Sequence, residues 1–246
     1  MILGNLIGEG NTAVIYLYDN KIVKVFKDHL PDTESAYEAN KQRFAYACGL
    51  PVPKILDVTK IDGKQAIIME YIEGKTIGEL FFEDMERAEY YIGLSIDIQQ
   101  KIHQMRAESL EPMSEKLLRQ LEDSSLDAFQ KEILMKKLNS MTYENRLCHG
   151  DFHLLNLIMS GGKVTIIDWV DASAGDIRAD VCRTYLLYSE RSIETAELYL
   201  RLYCEKSGLA KEDILQWAPI LAGARLTENV PTESRERLLA IVNQYV

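Results

Sequence analysis

The sequence is poor in the features that define several protein classes. Its four cysteines, Cys48, Cys148, Cys182 and Cys204, lie far apart and form no C-x-x-C pair. Neither a zinc knuckle nor a disulfide framework is therefore expected, and a reducing cytoplasm suits the chain. No run approaches the roughly 18 apolar residues that span a bilayer. The opening MILGNLIGEG lacks a basic segment followed by a long apolar one, so neither membrane insertion nor export by a cleaved signal is expected. Basic charge is short as well: 28 Lys and Arg stand against 38 Asp and Glu, a formal net charge of −10. That balance excludes the electrostatic footprint of a nucleic-acid binder. The deficit is uneven, with 8 basic and 9 acidic residues up to Glu70 and a net −9 beyond it. Internal repeats and low-complexity segments are also missing, which excludes solenoids and disordered tails.

What the chain does have is the length and apolar content for a large core, 246 residues of which 47% are hydrophobic. Over 2–72 the short apolar runs LGNLIG, AVIYLY, KIVKVF and QAIIMEYI read as strands, with Asp19-Asn20 and Asp62-Gly63 as hairpin turns. One helix interrupts them, predicted from Asp32 or Thr33 to Gly49, ahead of the prolines of LPVPKIL. After Gly74 the period changes: Tyr91, Leu94, Ile98, Ile102 and Met105 mark a long amphipathic helix over 83–107, followed by helices over 113–122 and 126–139. Strand character returns at NRLCHGDFHLLNLIM and KVTIIDWV around a Gly161-Gly162 turn. The remainder from Ile177 reads as helical, with breaks near Gly208 and Pro231. The expected fold class is α+β, with an antiparallel sheet and one helix over 1–72 and a mainly helical lobe over 73–246.

Chemistry-bearing residues occur in both parts. IGEGNTAVIY places Gly8 and Gly10 between the first two strands, where a backbone without Cβ atoms can close over phosphates; a plain hairpin turn would also use them. Lys24 is centred in KIVKVF, and an unpaired buried ammonium is costly, so it either faces solvent or meets a negative group. Glu38 on the helix could be that group, with Glu34 as a rival. The most specific pattern is LCHGDFHLLNLIM followed by TIIDWVD. Asp151 lies five residues before Asn156, and Asp168 ends the next short strand. Phosphoryl transfer uses such a set: one carboxylate orients the attacking hydroxyl, while an amide and a second carboxylate hold Mg²⁺ on the phosphates.

In this order, the glycine loop, Lys24, Glu38, LPVPKIL, IIMEYIEG, H-G-D-x-x-x-x-N, IIDW and GDIRAD resemble the aminoglycoside phosphotransferase and choline kinase family of protein-kinase-like small-molecule kinases. The resemblance covers nearly the whole chain and implies a two-lobed kinase-like fold, ATP and Mg²⁺, and a small-molecule acceptor bearing a hydroxyl. It makes Asp151 the catalytic base and Asn156 and Asp168 the metal ligands. Gly8, Gly10 and Lys24 would hold the phosphates, Glu38 would orient Lys24, and the backbone of Glu70 and Ile72 would bond adenine. His149 and Asp180 would brace the catalytic loop, with Cys148 a buried non-nucleophile. His153 is placed to help order the loop, whereas His103 reads as core or surface. Leu154 and Ile177 stand where the family often has Pro. Asp171 is the candidate acceptor contact, and the acid excess beyond residue 70 favours a cationic acceptor such as an amine. The alternatives are a nucleotide-binding pseudokinase and a kinase acting on protein hydroxyls. No catalytic position is missing and no A-P-E-like ending follows IIDWVDASAGD, which favours the small-molecule kinase.

Overall fold

Three two-residue turns organise the strands. Asp19-Asn20, Asp62-Gly63 and Gly161-Gly162 all have positive φ at both positions, between 47° and 84°. This is the backbone that matches the twist of a tight hairpin and that Asn, Asp and Gly tolerate best. The computed structural model describes residues 4–10, 12–228 and 233–246; the expected break at Pro231 falls outside them.

In chain order the elements are β1 (Asn5–Glu9), β2 (Ala13–Tyr18), β3 (Lys21–Phe26), α1 (Glu34–Ala47), β4 (Ile55–Ile61), β5 (Lys64–Glu70), β6 (Lys75–Thr76) and α2 (Ile77–Glu83). There follow α3 (Ala88–His103), α4 (Met113–Asp123), α5 (Ala128–Ser140), β7 (Arg146–Cys148), β8 (Leu157–Ser160), β9 (Lys163–Ile166) and β10 (Ser173–Gly175). The chain ends with α6 (Ile177–Ser189), α7 (Ile193–Ser207), α8 (Lys211–Leu215), α9 (Ala218–Arg225) and α10 (Arg235–Asn243). This is the α+β plan expected from the sequence.

The chain forms two compact units, Met1–Glu83 with Leu155–Val170, and Asp84–Leu154 with Asp171–Val246. The line does not fall at residue 72, where composition put it. β6 pairs with β8, β8 pairs with β9, and the Ile166 N–H donates to Pro51 O at 2.8 Å. These long-range bonds sew residues 155–170 to the amino-terminal part.

In the first unit five antiparallel strands lie in the order β1-β2-β3-β5-β4. One cluster joins Phe26, Ile55, Ile67 and Met69 to Ala39 of α1, and a second gathers Val23, Val25, Ile61 and Ala66. Alternate residues of β3 thus feed both clusters, as a strand requires. The α1 helix buries polar side chains as well as alanines, and each has a partner. Gln42 Nε2 donates to Pro53 O at 2.7 Å, Lys41 Nζ to Val170 O at 2.6 Å, and Ser35 to Gln65 Oε1. β4 carries no clear strand signature in the sequence, because a register shift between Ile55 and Asp57 interrupts its alternation.

In the second unit α3 packs on α7, α6 on α7 and α4 on α9. Ile92, Ile96, Ile102, Tyr199, Tyr203 and Trp217 are fully or almost fully buried there. The long helix expected over 83–107 is divided: Asp84 adopts φ −141°, ψ 77°, so α2 ends before it and α3 begins after it. α5 starts at a capping box in which Asp127 and Gln130 exchange side-chain and backbone bonds, and α7 stops at Gly208 in the left-handed region. β7 pairs with β10, three residues too small and short to announce a strand.

Candidate active site

Four residues singled out by the sequence fall in the first unit around β3. Lys24, between Ile15 and Ile67 in the sheet register, is 8% exposed. Its Nζ lies 2.6 Å from Glu38 Oε1 and 3.4 Å from Asp168 Oδ1. Glu38, not Glu34, is therefore the helical carboxylate it meets. Burial alone would lower the Lys24 ammonium, but the Asp168 and Glu38 carboxylates outweigh it and raise its pKa. The group remains charged and aimed. Asp168 itself has φ 62°, a left-handed backbone that costs energy in a non-glycine residue and clusters at functional positions. The Ile167 N–H donates to Asn156 O at 3.0 Å, which fixes Asn156, 7% exposed, one residue away from Asp168.

Two oxygen donors, an amide and a carboxylate, suit Mg²⁺, which takes few protein ligands and completes its shell with phosphates and water. Asp168 has a side chain 39% exposed and, among the described residues, only the long Lys24 contact as an ion-pair partner. It thus retains an oxygen for a cation, and the pair fits the metal.

Gly8 and Gly10 sit at the β1–β2 hairpin, whose tip is closed by the Gly10 N–H on Ala13 O at 2.9 Å. A Cβ added at either would meet nothing nearer than 3.8 Å and neither has a positive φ. The chain's own packing does not require glycine at either position, and the space beside them is open. Further along, the Glu70 N–H is spent on Lys54 O at 3.0 Å, so an adenine bond from Glu70 would use its carbonyl. Ile72 makes no hydrogen bond among the described residues.

In the second unit the H-G-D loop follows β7. Gly150 has φ 82°, and a Cβ there would lie 2.5 Å from Asp171 O, so only glycine fits. Asp180, expected to brace this loop, accepts the Gly150 N–H on Oδ1 at 2.7 Å. Its other oxygen accepts from Gln99 Nε2 at 3.1 Å and faces His103 Nε2 at 2.8 Å. Since a carboxylate only accepts, His103 carries its proton on Nε2, and its Nδ1 meets the Tyr203 hydroxyl at 2.9 Å. Burial would raise the Asp180 pKa, but these bonds, led by His103, hold it below the ordinary carboxylate range. His149 is fully buried and its Nδ1 faces the Asp151 N–H at 3.4 Å. Burial pushes the Cys148 thiol well up, away from the thiolate a nucleophile needs.

Asp151 lies 3.5 Å from His153 Nε2 and 3.9 Å from Arg183 Nη2. Burial raises its pKa, and His153 and Arg183 more than reverse that, leaving the carboxyl below its usual range. Asp171 is in an ion pair with Lys116 Nζ at 2.5 Å. Asp171 and Lys116 line a pocket with Gly150, Arg183 and Arg225, whose walls carry three cationic and three acidic side chains. The acid excess beyond residue 70 is therefore not gathered in this pocket. The sequence reading missed Lys116, Arg183 and Arg225, because each lies on a helix face where a solvated charge would look the same. It also missed His103 as the partner of Asp180, a contact 77 residues apart.

An antiparallel sheet holding a buried Lys–Glu pair and a helical unit holding an H-G-D loop together define a kinase-like fold. The chain belongs to the phosphotransferase enzyme family, whose model matches residues 5–215. Among solved structures it resembles a thermostable variant of aminoglycoside phosphotransferase APH(4)-Ia in ternary complex with AMP-PNP and hygromycin B, with a TM-score of 0.69, 14% identity and coverage of 98% of this chain and 93% of that one. ADP-bound aminoglycoside phosphotransferase APH(2'')-Ib gives a TM-score of 0.64 and 18% identity over 97% and 90%. A choline/ethanolamine kinase family protein from Mesorhizobium loti gives 0.61 and 14% over 98% and 85%. A curated human relative, "Acyl-CoA dehydrogenase family member 11" of Homo sapiens, is 23% identical over 213 residues, 70% of this chain but 27% of that protein. The chain thus spans about a quarter of that relative's length.

Proposed function

We propose that this protein transfers the γ-phosphate of ATP to a hydroxyl of a small molecule. The observation that carries the reading is the buried cluster of Lys24, Glu38 and Asp168, in which residues up to 144 positions apart converge with charge left to offer. Relatives of this fold bind AMP-PNP or ADP, one of them with hygromycin B, which supports nucleotide use and a small acceptor. Lys24 holds the α- and β-phosphates, Glu38 fixes its direction, and the backbone at Gly8 and Gly10 covers the triphosphate. The Glu70 carbonyl and the Ile72 backbone serve adenine. Asn156 and Asp168 would hold a Mg²⁺ ion, which when bound neutralises charge on the β- and γ-phosphates.

Asp151 accepts the hydrogen bond of the acceptor hydroxyl and takes its proton as the phosphoryl group arrives. A carboxylate held low by His153 and Arg183 is ionised at neutral pH and always ready to accept, although it is a weak base. That suits a reaction whose catalysis lies mostly in positioning and charge stabilisation. A cationic acceptor would have to take Asp171 from Lys116.

The test is ADP release measured over amino alcohols, aminoglycosides, macrolides, sugars and protein hydroxyls. The expected outcome is turnover with a small alcohol that is lost in Asp151→Asn, with kcat down on the order of 10²- to 10⁴-fold and ATP binding retained. Full activity in that variant would sink the assignment, and transfer only to protein would replace the small acceptor.

A further inference from the structure

The pocket beside Asp151 contains a guanidinium with donors to spare. Arg183 of α6 is 9% exposed, yet among the described residues only its Nε is within hydrogen-bond distance of an acceptor, Gly150 O at 3.2 Å. Its terminal nitrogens face Asp151 Oδ1 at 3.9 Å and Glu233 Oε1 at 4.0 Å, separations at which attraction survives but no hydrogen bond forms. Arg has five N–H donors in a planar fork, so four of them are without a bonded acceptor among the described residues. These nitrogens are not sealed in, since the buried unpartnered side-chain atoms among the described residues are Glu38 Oε2, Tyr188 Oη and Trp217 Nε1; they open on the pocket that Arg183 lines, and a guanidinium turned into a pocket with so few partners calls for an explanation.

Bracing the catalytic loop does not supply one. Asp180 already holds the Gly150 N–H at 2.7 Å, and Arg183 spends only Nε on Gly150. Structural arginines in the same unit look different: Arg178 bonds both oxygens of Asp176 and also Thr142 O. Arg237 bonds Glu190, Leu186 O and Ser189. Nor do nearby carboxylates neutralise Arg183 closely. Glu233 Oε2 is bonded to Arg225 Nε at 2.5 Å, and Glu228 is paired with the same guanidinium. Arg225 is itself held below its ordinary range, first by burial and then by the charge of Arg183, as two cations turned toward a common space would be. The space is small, ≈ 50 Å³, a few times the roughly 10–15 Å³ that one water needs. A carboxylate or a phosphate head fits that size.

We propose that Arg183 is the anion subsite of the acceptor: a carboxylate or phosphate on the acceptor docks on its terminal N–H groups while the acceptor's hydroxyl reaches Asp151. This rests on the phosphotransferase reading for the hydroxyl, but not for the anion. The fork geometry matches two oxygens at once. The acceptor class is thus small oxyanions bearing an alcohol, and Arg183 sets specificity.

Four alcohols of similar size separate the possibilities: glycerate, glycerol 3-phosphate, glycerol and ethanolamine. In wild type an anionic member should be the best acceptor, glycerate or glycerol 3-phosphate telling carboxylate from phosphate. In Arg183→Gln the ratio of kcat/KM for that anion over glycerol should fall on the order of 10- to 100-fold, mainly through KM. Arg183→Lys, which keeps the charge and loses the fork, should fall in between and guards against misfolding. Preference for glycerol or ethanolamine in wild type, or an equal loss of kcat for all acceptors in the variants, would overturn the proposal.

A second readout does not depend on turnover: stabilisation against thermal unfolding by glycerate and by inorganic phosphate, with AMP-PNP present, in wild type and in both variants. Anion stabilisation that depends on Arg183 supports the subsite even if no alcohol is phosphorylated, an outcome that would overturn the transferase reading instead. No such stabilisation overturns the subsite whatever the kinase activity.

Discussion

Two buried clusters of charge, one in each unit, show opposite designs. Around Asp180 both carboxylate oxygens are committed, to the Gly150 N–H, Gln99 and His103, and His103 is in turn committed to Tyr203. Around Lys24 the accounts stay open: Glu38 Oε2 is buried with no hydrogen-bond partner, and Asp168 reaches Lys24 only at 3.4 Å from a strained backbone. A saturated network rigidifies what it holds. An unsaturated one keeps its desolvation cost, and under the proposed function a nucleotide and its metal would meet it. The same contrast separates Arg178 from Arg183.

Breaking the closed cluster should give the larger effect on stability. Asp180→Ala orphans the Gly150 N–H and His103 together and should cost about 3–5 kcal/mol, on the order of 10 °C in Tm for a chain of this size. Denaturant titration and calorimetry read both. Because the folded pKa of Asp180 is depressed, its contribution is present above the unfolded value of about 3.9 and is lost as pH falls through the folded pKa. The gap between wild type and variant should therefore be constant from pH 7 to 5 and narrow below about pH 4. A gap that grows on acidification would contradict the assignment.

Opening the other cluster further should act mainly on turnover. Glu38→Gln keeps an acceptor of the same shape beside Lys24 and leaves Asp168 facing it at 3.4 Å, so stability should fall by about 1–3 kcal/mol, less than at Asp180, while kcat falls as Lys24 loses its orientation. A large loss of stability without a change in kcat would make the cluster a structural brace after all. The smallest effect is expected at the hairpin tip. Gly10→Ala finds 3.8 Å of clearance, so unfolding should shift by less than about 0.5 kcal/mol, and the KM for ATP should rise because the added Cβ occupies the ligand's side. An unchanged KM would remove the loop from the nucleotide site.

Much of this was legible locally. The Asp19-Asn20, Asp62-Gly63 and Gly161-Gly162 turns are visible because positive φ at two consecutive positions restricts residue type. β2 and β3 are visible because they are continuous apolar runs, and α4 and α5 because their apolar residues recur at helical spacing. Asp151, Asn156 and Asp168 stand out because a chemical set at fixed spacing is specific. What stayed hidden lacked a local signature. β4 is broken by a bulge, β10 is three small residues, and α2 and α3 are parted by the backbone of one Asp. Gly150 could be seen as part of a motif, but the reason for it, the approach of Asp171 O, could not.

By itself, then, the sequence determined the regular strands, the turns, the order of the motifs and the chemical types they bring, since these follow from period and backbone preference within a few residues. Only the tertiary structure decided that Glu38 rather than Glu34 meets Lys24, that residues 155–170 join the amino-terminal sheet, and that Lys116 takes Asp171 while the fork of Arg183 is left open. Those outcomes depend on distances between side chains far apart in the chain, and a charge on a helix face looks alike in sequence whether it ends in water, in an ion pair or beside the carboxylate of the H-G-D loop.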